Sequence, residues 1–504
     1  MIYLDGNSFT LDDLTAVAYE SEKVGLADAA RVRVADARAV VDAFAERDAP
    51  TYGINTGFGS FAETRVPPED LAALQVNLLR SHAAGVGDPL PIPVVRAMLA
   101  LRANVLAKGF SGIRLETLER LLDLLNQRVH PVVPSRGSVG ASGDLAPLAH
   151  LALVLIGEGV AWHDDAAEPG AAALKRAGIE PVSLAPKEGL ALINGTQAST
   201  ALLGLTLSGA LRLARAADIA AALSIDALHG STRPFDPRIH ATRPFPGQQQ
   251  SAANLHLLIT GSAINESHAN CGRVQDAYSM RCAAQVHGAA RDALAFAHGV
   301  FRTEANAATD NPMVFADSYE IVSGGNFHGA PVALAADVVC LALAQLATIS
   351  ERRAERLLNP ALSGLPAFLT RHGGLQSGLM MVQVTAAALA SELKTAAHPA
   401  SVDTIPTSAN KEDHVSMSMA AGLKAAHALE LARLVIACEL VCACQAIDLL
   451  APLRSSPALM RVHDFIRARV PTLEHDRSTS NDLGVITQMI ASGEVERACP
   501  LKVN

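Results

Sequence analysis

The chain has 504 residues, of which half are hydrophobic, 18% charged and 4% aromatic, and its formal net charge is −9. That length allows about three ordinary domains or one large fold, with ample apolar material for a core. The acidic balance is offset by no basic run and excludes an ordinary nucleic-acid binder, while seven scattered cysteines exclude a disulfide framework and suit a reducing cytoplasm.

In chain order, Ile2-Tyr-Leu with an Asp5-Gly6 turn before Ser8-Phe-Thr predicts a short hairpin. No basic segment followed by an apolar stretch opens the chain, so no signal peptide is expected. Leu115, Leu118, Leu122, Leu125 and Val129 form the stripe of an amphipathic helix, which Pro131 and Pro134 stop. Asp144 then stands as the N-cap of a helix from Leu145 to Gly157, with Pro147 tolerated in its first turn.

Long Ala/Leu-rich segments follow at about 198–229, 250–300, 329–358, 376–396 and 415–450. Pro/Gly-rich breaks near 230–247 and 359–375 mark bends between them. The run 329–349 is nearly apolar, but Asp337 and Gln345 interrupt it, so a buried helix is expected and not a membrane span. Cys438, Cys442 and Cys444 are read as small buried core residues and not as a zinc site. The pattern predicts a mainly α chain, with an N-terminal region over 1–200 and a bundle of long helices over 201–504.

The run Gly137-Ser-Val-Gly-Ala-Ser-Gly-Asp144 holds Ala141-Ser142-Gly143. Alone, Ala-Ser-Gly is a common loop tripeptide. It is also one that can react on itself. Attack of the Gly143 nitrogen on the Ala141 carbonyl closes a five-membered ring, and two dehydrations leave Ser142 as a methylidene. The product is 4-methylidene-imidazol-5-one (MIO), an electrophile. Glycine suits position 143 because a side chain there would obstruct the approach.

Six other segments accompany it in order: Tyr52-Gly-Ile-Asn-Thr-Gly-Phe-Gly59, Ser81-His-Ala-Ala-Gly-Val-Gly87, Asn194-Gly-Thr-Gln197, Gln275-Asp-Ala-Tyr-Ser-Met-Arg281, Gly325-Asn-Phe-His-Gly329 and Glu412-Asp-His-Val-Ser416. With the tripeptide, they resemble the MIO-dependent aromatic amino acid ammonia-lyase family, most of all its histidine-specific members, from about Tyr52 to Ser418. The resemblance implies a long central helical bundle of fumarase/aspartase-like architecture, assembled as a homotetramer with shared active sites. It also implies elimination of ammonia from L-histidine to give trans-urocanate, with no external cofactor.

Residue by residue, it implies that Arg281 holds the substrate carboxylate and that Gln275 and Tyr278 line the same site. The step of three between them would place all three on one helix face. Tyr52 or Tyr278 would move protons, Asn194 would contact MIO and substrate, and Phe327 would pack beside the ring. His82 and Glu412 would meet the substrate's own ring, where relatives acting on phenylalanine or tyrosine usually carry an amide in place of Glu412. The glycine-rich loop after Tyr52 has neither phosphate-loop nor dinucleotide spacing, and no metal-ligand motif accompanies these residues.

Two positions depart from the pattern. Phe245 stands where histidine is usual in histidine-specific members, and Lys411 precedes Glu412 where glutamine is common. A lysine facing the pocket would lower the proton affinity of Glu412. Tyrosine or phenylalanine ammonia-lyase activity, or aminomutase chemistry, uses the same parts and stays open. A non-catalytic helical scaffold stands furthest from the residue set.

Overall fold

The computed structural model describes residues 1–164, 166–269 and 271–504, and of Ser60 the backbone alone. The chain is mainly α, and its longest helices are Gln197–Ala227, Ala283–Glu304, Ala330–Leu358 and Ser418–Leu449. These match three of the predicted rods within a few residues. The segment expected to be continuous over 250–300 is instead broken into Pro246–Ile259, Ala263–Ser267, Tyr278–Arg281 and Ala283–Glu304. Gly261, at φ 82°, supplies one of the breaks.

The predicted N-terminal hairpin does not form. Ile2–Leu4 pairs in parallel with Val24–Leu26. Asp5 instead accepts from the amides of Asn7 (2.7 Å) and Ser8 (2.9 Å). Thr10 then caps helix Leu11–Tyr19 in a reciprocal box with Asp13. Residues 8–10 are consumed by a turn and a cap and have no ladder to offer. The helix Leu115–Asn126 carries the expected stripe, and Val129, also buried, lies just past its end.

Two compact units are distinguished. The first comprises Met1–Leu205, His298–Asp337 and Pro399–Leu423, and the second Thr206–Ala297, Val338–His398 and Lys424–Asn504. All the small sheets belong to the first, including the antiparallel pair Val86–Pro89 with Pro134–Arg136 that leads into the 137–144 loop. Its centre is helix Ile92–Leu106, buried almost throughout although it carries Arg96, Arg102 and Asn104. In the second unit, Asp218 takes His287 Nδ1 at 2.7 Å and Arg291 at 2.6 Å, so its buried charge is matched.

The helical segments Glu188–Ala227, which has a break before Gln197, and Ala330–Leu358 are long and apolar enough to cross a membrane by composition, with 100% and 67% of their most apolar windows buried. The cysteines of Ser418–Leu449 are buried as well, and burial pushes the Cys438 and Cys444 thiols up to about 12. Among the described residues, no group of three or more His, Cys, Asp or Glu could hold a metal ion.

Candidate active site

The loop between Arg136 and Leu145 is held by backbone contacts that glycine alone permits. Gly143 sits at φ 73°, and a Cβ there would lie 2.3 Å from the Gly195 carbonyl oxygen. The next amide, Asp144 N–H, donates to that same oxygen at 2.7 Å. Asn194, immediately before Gly195, donates from Nδ2 to the Ser142 carbonyl at 2.8 Å. Ala141 is buried against Val415 and Met417, which anchors the other end of the tripeptide.

Asp144 begins helix Leu145–Leu155, but its side chain does not cap it. Its carboxylate accepts from Ser138 Oγ at 2.9 Å and from both the amide and the hydroxyl of Ser199 at 2.8 Å. Ser199 is the third residue of helix Gln197–Ala227, so Asp144 satisfies an orphan amide of a different helix. Burial pushes its pKa up against the pull of these donors.

Beneath Asn194 lies a fully buried arginine. Arg102 donates from Nε to the Ala191 carbonyl at 2.9 Å. Its Nη1 reaches the Asn194 carbonyl (3.2 Å), Gln197 Oε1 (2.9 Å) and the Thr309 carbonyl (3.0 Å). A Cβ at Gly195 would fall 2.4 Å from that same Nη1, so residue 195 leaves room for the guanidinium. Asp310, 3.7 Å from Arg102 and 3.4 Å from Lys187, balances the charge. Burial pulls the proton affinities of both cations down, and Asp310 pulls them back up. Asp310 Oδ1 also accepts from the Asn311 amide at 2.7 Å, which ties the clamp to a residue of the cavity above.

That cavity measures about 260 Å³ and brings together Tyr52, His82, Ser142, Asn194, Phe327 and Glu412. Leu78, Leu145 and Leu190 add apolar wall, and Asn311 and Ser408 add polar groups. His82 ends helix Leu71–His82, and its Nδ1 lies 2.9 Å from the Leu78 carbonyl. A carbonyl only accepts, so in the neutral ring Nδ1 carries the proton and Nε2 is an acceptor.

Glu412 accepts from Ser142 Oγ at 2.5 Å through Oε1 and from Thr407 Oγ1 at 2.6 Å through Oε2. Both of its oxygens are thereby engaged. It closes a loop in which Ser408, Ala409 and Asn410 all have positive φ, between 51° and 64°. Such a run costs non-glycine residues about 1–3 kcal/mol each and persists where surrounding contacts enforce it. Lys411 is exposed and lines no part of the cavity. Tyr52 packs edge-on against Phe58, ring centroids 6.4 Å apart. Burial raises its phenol above the ordinary value, the Gly59 amide opposes this, and the charge of Glu412 adds to it.

Gln275, Tyr278 and Arg281 belong to the second unit. Gln275 and Arg281 line a cavity of about 600 Å³ there, with Arg233, His268 and Cys271. They do not share one helix face. The helix spans only Tyr278–Arg281, with Gln275 outside it, and Arg281 Nε donates to the Asp276 carbonyl at 2.9 Å. The guanidinium carbon stands 4.6 Å from the centre of the Tyr278 ring, and Tyr278 is 70% exposed. Phe245, the departure noted above, is 52% exposed.

Sequence reasoning missed Arg102, Thr407 and Asn311. Asn311 precedes Pro312, a turn-forming pair that could have drawn attention. Arg102 inside a mostly apolar helix was a second signal, because a buried arginine demands partners.

Comparison with known proteins agrees with this geometry. Residues 9–468 match the family model for aromatic amino acid lyases. A histidine ammonia-lyase from Anaeromyxobacter sp. (strain K) is 56% identical over 98% of this chain and 99% of its own length. The crystal structure of histidine ammonia-lyase from Trypanosoma cruzi superposes with a TM-score of 0.92 at 46% identity, covering 99% of this chain and 94% of that one. The tyrosine aminomutase from Streptomyces globisporus gives a TM-score of 0.95 at 38% identity over all of both chains. The chain belongs to the aromatic amino acid lyase family.

Proposed function

We propose that this chain is an ammonia-lyase that converts L-histidine to trans-urocanate and ammonia, using an MIO group made from its own Ala141-Ser142-Gly143. The observation that carries the reading is the junction at Ser142. Its hydroxyl points at Glu412 and its carbonyl receives Asn194 Nδ2, inside a cavity whose polar wall includes His82. The relatives at 56% and 46% identity act as histidine ammonia-lyases.

The residues present fit the group. Ring closure between Gly143 N and the Ala141 carbonyl keeps the Ser142 carbonyl in the ring, and that is the oxygen Asn194 already bonds. Gly143 has no space for a side chain. When formed, MIO supplies an electrophilic carbon that makes the substrate's amine a better leaving group. Asn194 Nδ2 is preorganised to stabilise negative charge on the Ser142 oxygen.

On the cavity wall, His82 Nε2 and Glu412 present two acceptors. A histidine side chain answers them with two N–H groups when charged, or with one while Glu412 takes up the second proton. A phenol has one hydroxyl and a benzyl ring has none. Tyr52 enters with its phenol protonated, because burial and Glu412 hold the proton on Oη. In that state it donates, toward the departing amine. To act as base at the β-carbon it must first pass the proton on; Tyr278 is the other candidate.

Arg281 supplies the planar fork for the substrate carboxylate and Gln275 lines its side of the site. Both reach the reaction in a homotetramer whose sites are shared between subunits. The exposure of Tyr278 supports this, as do the apolar residues that long helices leave in water, among them Leu334, Leu341, Met381 and Val384. The enzyme acts on a small amino acid in the cytoplasm, with no nucleic acid or membrane partner.

A second reading, tyrosine ammonia-lyase or aminomutase chemistry, is favoured by the tyrosine aminomutase relative at 38% identity. One experiment separates them: intact mass, expected about 36 Da below the sequence mass, with urocanate absorbance on L-histidine measured beside L-tyrosine. Tyrosine preference would transfer the ring pocket to a phenol, and an unchanged mass would overturn the MIO assignment.

A further inference from the structure

Glu412 is held at both oxygens, and the two bonds have different fates. Oε1 takes the Ser142 hydroxyl at 2.5 Å and Oε2 takes the Thr407 hydroxyl at 2.6 Å. Loss of two waters from Ala141–Gly143 removes Ser142 Oγ and leaves Oε1 open to a ligand. The bond to Thr407 is untouched by that change.

Thr407 is itself fixed against Glu412. Its amide donates to the Glu412 carbonyl at 3.0 Å and the Glu412 amide donates back at 3.4 Å. The intervening positive-φ turn places Ser408 and Glu412 on the cavity wall, whereas Thr407 is not among the lining residues. The terminal torsion of a glutamate is broad and carries little preference of its own. Without a partner on Oε2, the carboxylate plane could rotate and offer either oxygen.

We infer that Thr407 is a specificity-determining positioning residue, which pins Glu412 Oε2 so that Oε1 alone meets a substrate imidazole N–H. The inference rests on the histidine reading above. It concerns orientation and not chemistry, so it falls on binding of the ring more than on turnover of bound substrate.

Thr407→Val removes the hydroxyl at nearly constant shape, and Thr407→Ser restores it. Both should show the same two-water mass loss and melting temperature as the parent. For Thr407→Val, KM for L-histidine and the Kd of free imidazole by calorimetry should each rise about tenfold, the worth of one hydrogen bond to a charged group. kcat should change much less, and Thr407→Ser should recover most of the loss. In a Glu412→Gln background the same substitution should add nothing.

Parental KM and imidazole affinity in Thr407→Val overturn the inference, as does an equal loss in the Glu412→Gln background. If the parent neither loses two waters nor consumes histidine, the underlying reading fails first. If it does both while Thr407→Val is silent, only the role of Thr407 falls.

Discussion

At the floor of the first unit's cavity, Arg102 collects three backbone carbonyls and Gln197 Oε1. On the cavity's lining, here called the rim, His82 and Glu412 present a ring nitrogen and a carboxylate. The floor is built on main-chain atoms from segments far apart in sequence, with glycines at 143 and 195 chosen for space. The rim is built on side chains, and on the proposed reading their identity decides what is bound. Changes at the floor should therefore alter whether the site forms at all, and changes at the rim should alter what it accepts.

The sharpest way to break that contrast lies where floor and rim meet. Ser142→Ala should keep the fold, because among the described residues the hydroxyl bonds Glu412 alone, but it removes the oxygen whose departure would leave the methylidene. Activity on L-histidine should fall by several orders of magnitude, with the mass left at the sequence value and the assembly unchanged by light scattering. Near-parental turnover would mean that the tripeptide is an ordinary loop.

Tyr52→Phe comes next. The edge-on packing with Phe58 needs only the ring, so folding should survive, while the loss of the phenol should cost about 10²–10⁴-fold in kcat. The phenol's pKa is raised above its ordinary value, so it stays protonated through neutral pH and begins to lose its proton only above its usual range. If Tyr52 donates, activity should hold to about pH 10 before falling; a steady rise over that range would assign it the base's role instead.

Arg102→Met tests the floor directly. It leaves the Ala191, Asn194 and Thr309 carbonyls and Gln197 Oε1 without their cationic donor in a fully buried place. The expected loss of stability is about 3–5 kcal/mol by urea unfolding. The part that still folds should carry less of the two-water mass loss, because Asn194 and Gly195 are no longer held beside Ser142 and Gly143. Full maturation in the folded fraction would reduce Arg102 to a stabilising residue.

What could be read from the sequence follows the same division. His82, Asn194, Phe327 and Glu412 carried recognisable chemistry in recognisable surroundings, and the cavity brings them together with Tyr52 and Ser142. The long helices were legible because Ala and Leu patterns are local. Asp144 was expected to cap its own helix and instead serves Ser199, since a cap's partner is decided by tertiary packing. The pairing of Thr407 with Glu412 was invisible because it spans three non-glycine residues in positive φ, which no local pattern foretells. The hairpin failed for the opposite reason: a turn signal at Asp5-Gly6 was real, but the residues beyond it were claimed by a helix cap.

The rim is tested by substrate choice, where the expected effect is smallest. On the proposed MIO reading, in which Ser142 loses its hydroxyl, phenylalanine would leave His82 Nε2 and a Glu412 oxygen without donors. Each such mismatch costs about 1–3 kcal/mol, so the two together separate the substrates by roughly a hundredfold in kcat/KM. Tyrosine satisfies one acceptor and should fall between. His82→Leu removes one mismatch and should narrow the histidine-to-phenylalanine ratio about tenfold, without touching the two-water mass loss, since the hydrogen bonds described for His82 go to Ser81 and Leu78. Side-by-side kinetics on the three amino acids decide it. A ratio unchanged by His82→Leu would place ring recognition on Glu412 alone, and a mass restored to the sequence value would show that rim and floor are not separable.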